Sequence, residues 1–285
     1  MAKTIKDFLF EYFAKNTLTL EKDYPGIQFQ RFMDEYCTFD SSKPEDTFFM
    51  ENPGFLEKIK LGIPLEYINF NSFFYKEEFY VNQDVLIPRS ETEILCEKAI
   101  SYIENNYYEN FSIYDIGTGS GVIPLTLATE IKKRLRIHAC DISHDALAVA
   151  NINYDNLFNK IAIGTQIKFE VRDRLHGVEE KFDLITSNPP YIKEKADHKN
   201  VHHQTDSYEP HMALYLKDDE YDNWFETLFE QASKSLNAKG LFIMEGHEDH
   251  LAKQAKQMEK YFDSVNIIKD YTDRPRFLYG ENMNG

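Results

Sequence analysis

The alternation of short apolar runs with helical stretches after residue 112 is the feature that most restricts the fold of this chain. Segments with helical periodicity, such as VIPLTLATEIKKR and WFETLFEQASKSL, separate most of the apolar runs. The runs with the residue types of β-strands are, in chain order, SIYDIG, RIHACDI, IKFEVR, FDLITSN, GLFIMEG, SVNIIKDY and PRFLYG. Strands and helices in alternation predict a mostly parallel sheet covered on both faces, with the last two strands as an antiparallel ending. We therefore expect an α/β fold.

Residues 1–68 follow a different pattern, with apolar residues at helical spacing and interruptions at Pro and Gly. This pattern predicts a small helical domain that either recognises a partner or braces the rest of the chain. Residues 69–90 are rich in aromatic and β-branched residues, which predicts a β-hairpin linker. Near its end, Ser90 and Glu93 have the spacing of a capping box, so that Ser90 would accept a hydrogen bond at the start of a helix.

The charge balance argues against general nucleic-acid binding. The 285 residues include 32 Lys and Arg against 48 Asp and Glu, and the net charge of -16 repels a phosphate backbone. The N-terminus has no apolar signal-peptide core, and no run reaches the roughly 18 apolar residues that span a bilayer. Cys37, Cys96 and Cys140 form no CxxC pair, which favours buried thiols in a reducing compartment. We expect a cytoplasmic protein.

A glycine loop with GxGxG spacing follows the first strand of the predicted sheet. Gly117, Gly119 and Gly121 stand between SIYDI and a helical stretch, where glycine admits positive φ and lets a ligand approach the backbone. The dinucleotide fingerprint GxGxxG would need its third glycine at position 122, where the chain has Val122. The spacing therefore departs from the dinucleotide pattern while still indicating a nucleotide-like ligand.

Acidic residues around the loop favour S-adenosylmethionine over a dinucleotide. Asp115 precedes the loop, where a carboxylate could hold an ammonium group but would repel a pyrophosphate. Asp141 closes the next strand and could accept both ribose hydroxyls, and Ser143 has the position of an N-cap for the following helix. Asp173, after the third strand, is either the acceptor for the adenine amino group or a solvated carboxylate beside two arginines.

The tetrapeptide Asn188-Pro189-Pro190-Tyr191 follows an apolar strand, at the sheet edge where open α/β folds bind ligands. Two prolines stiffen the turn, so the Asn188 side chain and the Pro189 carbonyl can act as fixed acceptors. A planar NH2 group needs two such acceptors, and Tyr191 offers it a flat face. These residues predict methylation of an amide or adenine nitrogen, which is a poor nucleophile until two acceptors stabilise its developing positive charge.

With these motifs the chain resembles the HemK/PrmC family of S-adenosylmethionine-dependent protein-(glutamine) methyltransferases, which modify the GGQ glutamine of peptide-chain release factors. The match runs, in the family's order, through GIPLEYI, FYVNQDVLIPRSETE, DIGTGSG, DISHDALAVANIN, FDLITSNPPYI and YEPHMAL. The resemblance implies a small N-terminal helical bundle for substrate recognition, joined by a β-hairpin to a seven-stranded Rossmann-like methyltransferase domain. In this chain these would be residues 1–68, 69–90 and 91–285.

The resemblance also implies residues for each reactant. The cofactor would be bound by Asp115, Gly117, Thr118, Gly119, Gly121, Asp141, Ile142, Asp173 and Asn188. The substrate glutamine would be bound by Asn188, Pro189, Pro190 and Tyr191, of which Asn188, Pro189 and Tyr191 would be catalytic. We expect S-adenosyl-L-methionine as the methyl donor, S-adenosylhomocysteine as the product, and no metal. The enzyme would be a monomer that acts on a release factor without stable binding to nucleic acid or membrane.

Three alternatives remain open at this point. The substrate could be a glutamine of a large-subunit ribosomal protein, because related enzymes tend to have Arg-Ser where this chain has Arg89-Ser90. Thr92-Glu93 favours the release-factor group. The same tetrapeptide also serves adenine methylation in nucleic acids. An inactive binding module is disfavoured because Asn188 and Tyr191 are both present.

Three features receive no assigned role from the sequence. They are Arg89, the loop with His198, His202 and His203, and the segment Glu245-Gly246-His247. In the last of these the family commonly has Glu-His-Gly followed by Gln. The histidine spacing is too weak a pattern to assign a metal site, and we favour a loop that covers the substrate.

Overall fold

The computed structural model describes residues 3–36, 41–43, 45, 48 and 54–282, which fall into two compact units. One unit lies within residues 1–71 and 201–209, and the other within 72–200 and 210–285. The first unit contains the helices α1 (Ile5–Asp23), α2 (Phe29–Tyr36), α3 (Phe55–Lys60), α4 (Leu65–Asn69) and α8 (His203–Tyr208). The domain boundaries at residues 68 and 90 stay predictions.

The helical unit is organised around the buried face of α1. Thr4 caps this helix by accepting a hydrogen bond from the Asp7 backbone N–H, and the Asp7 carboxylate accepts one from the Thr4 backbone in return. Buried residues then follow at helical spacing, and Leu9 and Phe13 belong to a cluster with Phe32 of α2. The helical spacing of the N-terminal sequence therefore predicted these elements correctly.

Helix α8 joins this unit although it is distant in sequence. Gln204 Nε2 donates to the Gly62 carbonyl over 2.7 Å, and His203 Nε2 lies 2.8 Å from Asp23 Oδ1. The sequence treats this segment as a loop after Tyr191, whereas it forms a short helix whose side chains bind the helical unit. These two polar contacts join residues that are far apart in the sequence, so no local sequence pattern predicts them.

The second unit contains the sheet and the helices around it. In chain order its elements are β1 (Ser72–Phe74), β2 (Glu77–Phe79), α5 (Ser90–Asn106), β3 (Ser112–Ile116), α6 (Val122–Glu130), β4 (Arg136–Asp141), α7 (His144–Leu157), β5 (Gln166–Val171), β6 (Phe182–Ser187), β7 (Ile192–Lys193), α9 (His211–Leu214), β8 (Tyr215–Leu216), α10 (Tyr221–Lys234), β9 (Leu236–Glu245), α11 (Leu251–Met258), β10 (Ser264–Lys269) and β11 (Pro275–Glu281).

The main sheet has seven strands in the order β10-β11-β9-β6-β3-β4-β5. Strands β5, β4, β3, β6 and β9 run parallel, and β11 and β10 are antiparallel additions. This confirms the predicted α/β fold with its antiparallel ending. The carboxyl ends of the parallel strands lie along one edge, which is where such sheets bind ligands.

Both faces of the sheet are buried. Ile113 and Leu184 belong to a cluster with residues of α5 and α6, whereas their neighbours Tyr114 and Ile185 belong to a cluster with residues of α10. Successive strand residues point to opposite faces, so helices cover the sheet on each side. This explains why β6 is buried along its whole length.

The start of α5 differs from the prediction. Its N-cap residue is Arg89, which makes no side-chain capping bond, and Ser90 is the first helical residue. The capping box expected between Ser90 and Glu93 is therefore wrong. The physical reason is that Glu93 Oε1 accepts the backbone N–H of Tyr75, in the turn between β1 and β2, over 2.7 Å. A tertiary contact has replaced the local one.

Two of the three cysteines lie within the described residues. Cys96 and Cys140 are buried free thiols, and burial raises the pKa of each. Cys37 lies outside the described residues. None of the helices in the described ranges is long and apolar enough to cross a membrane.

Asp183 joins the amino ends of several elements, at the sheet edge opposite the carboxyl ends. Its Oδ2 accepts the backbone N–H and the hydroxyl of Ser112, over 2.8 and 2.9 Å, and its Oδ1 accepts from Tyr108 and Asn237. Because the residue is buried, its four donors depend on this single carboxylate.

We predict that Asp183→Asn destabilises the fold by about 2 kcal/mol, because the introduced NH2 group faces donors instead of accepting from them. The measurement is the free energy of unfolding in urea. Asp155→Asn, an identical change at an exposed position of α7, should shift it by less than about 0.5 kcal/mol. Equal stability of the two variants would contradict the role assigned to Asp183.

Candidate active site

The glycine loop connects the end of β3 to the start of α6. Gly117, Gly119 and Gly121 have φ of 69°, 54° and 81°, in the left-handed region that favours glycine. A Cβ at Gly121 would lie 3.2 Å from the side chains of Ala150 and Leu125, whereas one at Gly119 would meet nothing within 4 Å. Gly121 therefore serves close packing of the loop, and Gly119 leaves its outer side open to a ligand.

Asp141, at the end of β4, holds this loop in place. Its Oδ2 accepts the Gly119 N–H and its Oδ1 accepts the Ser143 N–H, each over 2.9 Å. Ser143 caps α7 as predicted, because its hydroxyl accepts the Ala146 N–H over 3.1 Å. Burial raises the pKa of Asp141, and the backbone N–H groups oppose that shift. Each carboxylate oxygen keeps acceptor capacity for a ribose hydroxyl.

Asp115 lies at the end of β3, directly before the glycine loop, and is fully buried. Its Oδ1 accepts the Thr186 hydroxyl over 2.6 Å, while its Oδ2 has no hydrogen-bond partner among the described residues. Burial raises the pKa of this carboxyl to about 7. A buried, unpartnered carboxylate oxygen beside a ligand loop suits a cationic group such as an ammonium.

A cavity of about 290 Å³ opens at the carboxyl edge of the sheet, beside the glycine loop. Nine residues predicted to bind cofactor or substrate line it, namely Gly117, Thr118, Gly119, Asp141, Ile142, Asp173, Asn188, Pro189 and Pro190. Asp115, Gly121 and Tyr191 do not line this cavity. Its wall also contains apolar side chains, including Met212, Leu216 and Trp224, against which a purine ring can pack. The residues present fit S-adenosylmethionine, with acids for its polar groups and an apolar wall for its ring.

Asp173 faces the cavity but is engaged with a neighbour. Arg174 Nε and Nη2 each lie 2.9 Å from one of its carboxylate oxygens, and the Arg174 guanidinium lies 5.0 Å from the ring centroid of Trp224. The Asp173 side chain is more than half exposed. These contacts match the alternative of a solvated carboxylate beside an arginine, and a role toward adenine stays a prediction.

The Asn-Pro-Pro-Tyr turn follows β6, which is the central strand of the sheet and pairs with β3. A second cavity of about 120 Å³ lies against it, lined by Leu86, Arg89, Asn188, Pro189, Tyr191, Ile192, Ala213 and Leu214. Five residues line both cavities, namely Leu86, Arg89, Asn188, Pro189 and Ala213. Two reactants that occupied the two cavities would meet at these residues, among which the Asn188 side chain and the Pro189 carbonyl are the predicted acceptors.

Hydrogen bonds hold the turn at both ends. Asn188 Nδ2 donates to Thr92 Oγ1 over 3.1 Å, and the Tyr191 hydroxyl donates to Glu245 Oε1 over 3.1 Å. The Tyr221 hydroxyl donates to the Tyr191 carbonyl over 3.0 Å. Burial raises the pKa of the Tyr191 phenol, and the Glu245 charge adds to that shift. Tyr191 therefore stays a neutral donor at the site.

Asn153, for which the sequence predicts no role, joins the glycine loop to the segment after β2. Its Nδ2 donates to the carbonyls of Ser120 and Tyr80, over 2.9 and 3.0 Å, and its Oδ1 accepts the Tyr80 N–H over 2.7 Å. The side chain is fully buried. The available signal was a polar residue on the same helical face as Val149 and Ala150.

The histidine segment shows no metal-ligand geometry. Within the described residues, no group of three or more His, Cys, Asp or Glu side chains could hold a metal ion. His203 instead contacts Asp23, and His202 accepts the Gln204 backbone N–H as the N-cap of α8.

Comparisons with known proteins agree on the kind of enzyme. Residues 96–205 match the model of the methyltransferase small domain. In its structure the chain is similar to a 16S rRNA methyltransferase from T. thermophilus in complex with AdoMet and guanosine, at 15% identity, a TM-score of 0.54, and coverage of 75% of this chain and 50% of that one. At this identity the likeness concerns the fold.

Similarity in sequence is more specific. Release factor glutamine methyltransferase from Flavobacterium psychrophilum is 33% identical over 78% of this chain and 77% of its own length. Its namesake from Haemophilus influenzae is 31% identical over 86% of this chain and 85% of its own. The release factor glutamine methyltransferase from Chlorobaculum tepidum is 34% identical over 76% of this chain and 74% of its own length. Similarity of this extent shows that the chain belongs to the family of S-adenosylmethionine-dependent release factor glutamine methyltransferases.

Proposed function

We propose that this protein transfers a methyl group from S-adenosylmethionine to the side-chain amide nitrogen of a glutamine in a peptide-chain release factor. The observation that carries this proposal is the position of Asn188 and Pro189, which line both the large cavity and the small one. Membership of the family supports the same substrate class. We infer that the large cavity takes the cofactor and the small one takes the glutamine side chain.

The chemistry requires help at the amide nitrogen. S-adenosylmethionine, when bound, supplies an electrophilic methyl group. The amide lone pair is delocalised, so the nitrogen gains nucleophilic character only when its two N–H bonds are held by acceptors that also stabilise positive charge. We assign these roles to Asn188 Oδ1 and to the Pro189 carbonyl, whose neighbour Pro190 has no competing N–H.

Proton removal needs no dedicated strong base in this scheme, because a methylated amide nitrogen becomes acidic and can lose its proton afterwards. Tyr191, with its hydroxyl donated to Glu245, presents its ring rather than a charge to the small cavity. Leu86, Ile192 and Leu214 complete an apolar wall there, which excludes water from the reacting amide.

The partner assignment goes beyond the reacting groups. We propose that the helical unit contacts the release factor at a distance from the glutamine, which is supported by the exposed apolar side chains of Phe10 and Leu18 on α1. The same proposal includes a cytoplasmic location and a monomeric state. It also includes the absence of stable nucleic-acid binding, which is supported by the net charge of -16.

The direct test is methyl transfer from labelled S-adenosylmethionine to four acceptors in parallel. These are an unmodified release factor, its variant with alanine in place of the GGQ glutamine, a large-subunit ribosomal protein, and duplex DNA. We expect label on the unmodified release factor alone. Label on the ribosomal protein would keep the chemistry and change the partner, and label on DNA alone would overturn the proposal.

Asn188→Ala should lower turnover by about 100-fold or more and leave cofactor affinity nearly unchanged, because the lost interaction acts mainly in the transition state. Asp141→Ala serves as the matched comparison and should instead weaken cofactor binding by at least about 10-fold. Turnover gives the first effect and calorimetric titration with the cofactor gives the second. Full turnover in Asn188→Ala would refute the amide clamp.

Cofactor affinity should depend on pH through Asp115. Its pKa of about 7 means that the carboxyl is neutral below this pH and ionised above it, and only the ionised form attracts an ammonium group. The ratio of wild-type to Asp115→Asn affinity should therefore rise about 10-fold between about pH 6 and about pH 8. Titration of the cofactor itself cancels in this ratio, and a constant ratio would show that Asp115 does not contact the ligand charge.

A further inference from the structure

A chain of hydrogen bonds connects Asn188 to a buried carboxylate. Asn188 Nδ2 donates to Thr92 Oγ1 over 3.1 Å, and Thr92 Oγ1 donates to Glu245 Oε2 over 2.7 Å. The other oxygen of Glu245 accepts the Tyr191 hydroxyl over 3.1 Å. Thr92 and Glu245 are only 2% and 1% exposed, so water does not compete for these bonds.

The elements that carry these residues meet for a structural reason. Strands β6 and β9 are parallel neighbours, and Ser187 lies opposite Met244. The next residue along each strand is Asn188 on one side and Glu245 on the other, so these two residues are also neighbours. Thr92 lies in the first turn of α5 and fills the position between them. The strand pairing that forms the site therefore also places the Glu245 carboxylate near the Asn188 amide, with Thr92 between them.

The number of available protons determines which group donates in each of these hydrogen bonds, and therefore the direction of the hydrogen-bond chain. An ionised carboxylate can only accept, so the hydroxyls of Thr92 and Tyr191 both donate to Glu245. A threonine hydroxyl has one proton, so Thr92 can only accept from Asn188. The group of Asn188 that faces Thr92 must then be its NH2, and a flipped amide would place two oxygens together with no proton between them.

The charge of Glu245 is the origin of this direction. Burial raises the pKa of Glu245, while the two hydroxyl donors and the positive charge of Arg276 favour its ionised form. A neutral carboxyl could donate toward Thr92 and reverse the chain. While the carboxylate is ionised, both hydroxyls donate to it and the order of donors is fixed.

We propose that Thr92 and Glu245 are positioning residues that hold the Asn188 amide with its oxygen toward the substrate. This inference rests on the proposed function and deepens it, because Oδ1 of Asn188 is one of the two acceptors assigned to the glutamine NH2. In the flipped orientation two NH2 groups would face each other and no hydrogen bond would form. The Pro189 carbonyl needs no such control, since a backbone carbonyl cannot exchange its oxygen for a donor.

Thr92→Val removes the hydroxyl and keeps the shape of the side chain. The Asn188 NH2 then turns toward solvent to recover a partner, and the wrong orientation is favoured by about one hydrogen bond. We expect kcat to fall about 10-fold, with unchanged affinity for S-adenosylhomocysteine. Thr92→Ser keeps the hydroxyl and should restore kcat to within about 2-fold of wild type.

Thr129→Val is the matched control, because Thr129 is also a buried helical threonine and donates to the Thr126 carbonyl of its own helix. It should leave kcat unchanged. Glu245→Gln should also favour the flipped Asn188 amide. The NH2 group of the introduced glutamine can donate to Thr92 Oγ1, so the threonine hydroxyl is free to donate to Asn188 instead of accepting from it. If both residues act through one chain, the double variant should lose no more activity than Thr92→Val alone.

A readout independent of activity separates this inference from the proposed function. The side-chain NH2 of Asn188 should be protected from hydrogen exchange in wild type and in Thr92→Ser, and exchange faster in Thr92→Val. Protection that is unaffected by Thr92→Val would overturn the inference, as would equal loss of kcat in the valine and serine variants. Absence of glutamine methylation by wild type would instead overturn the proposed function.

Discussion

The parallel pairing of β6 with β3 on one side and β9 on the other is the constraint on which the site depends. Parallel strands end at the same edge of a sheet, so the residues that follow them become neighbours. The glycine loop follows β3, Asn188 follows β6, and Glu245 ends β9. Long stretches of chain separate these residues in sequence, and only the ladder brings them to one edge.

The opposite edge of the same strands carries the polar contacts that stabilise the sheet. Asp183, at the amino end of β6, accepts both the N–H and the hydroxyl of Ser112 at the amino end of β3. These bonds fix the register of the two strands at the edge away from the cavity. The chemistry at the carboxyl edge is thus free to use polar groups for ligands rather than for stability.

Much of the fold was predictable because its signals are local. Strand and helix periodicity predicted the sheet, and the glycine loop and the Asn-Pro-Pro-Tyr turn marked two sides of the cavity. Asp141 was predicted from its place at a strand end, and its contact with Gly119 is consistent with that. Asp115 could be placed before the loop, but the sequence could not show that it is fully buried there.

What the sequence could not predict depends on partners distant along the chain. Glu93 looked like half of a capping box, yet its carboxylate binds the Tyr75 backbone in the hairpin turn. Thr92 and Glu245 belong to segments that resemble the family, yet neither could be assigned a role from the sequence, because each acquires its role only through the other and through Asn188. The segment with α8 likewise joins the helical unit by contacts to Gly62 and Asp23.

The two acceptors of the site illustrate the limit of a motif. The Pro189 carbonyl is oriented by the backbone of the tetrapeptide, so the sequence of the turn alone specifies it. The Asn188 amide has two ends of nearly equal shape and opposite hydrogen-bonding character, and nothing in the tetrapeptide chooses between them. That choice is made by a hydroxyl on α5 and a carboxylate on β9. A turn with the same four residues on a sheet without these partners would hold an amide substrate with one reliable acceptor instead of two.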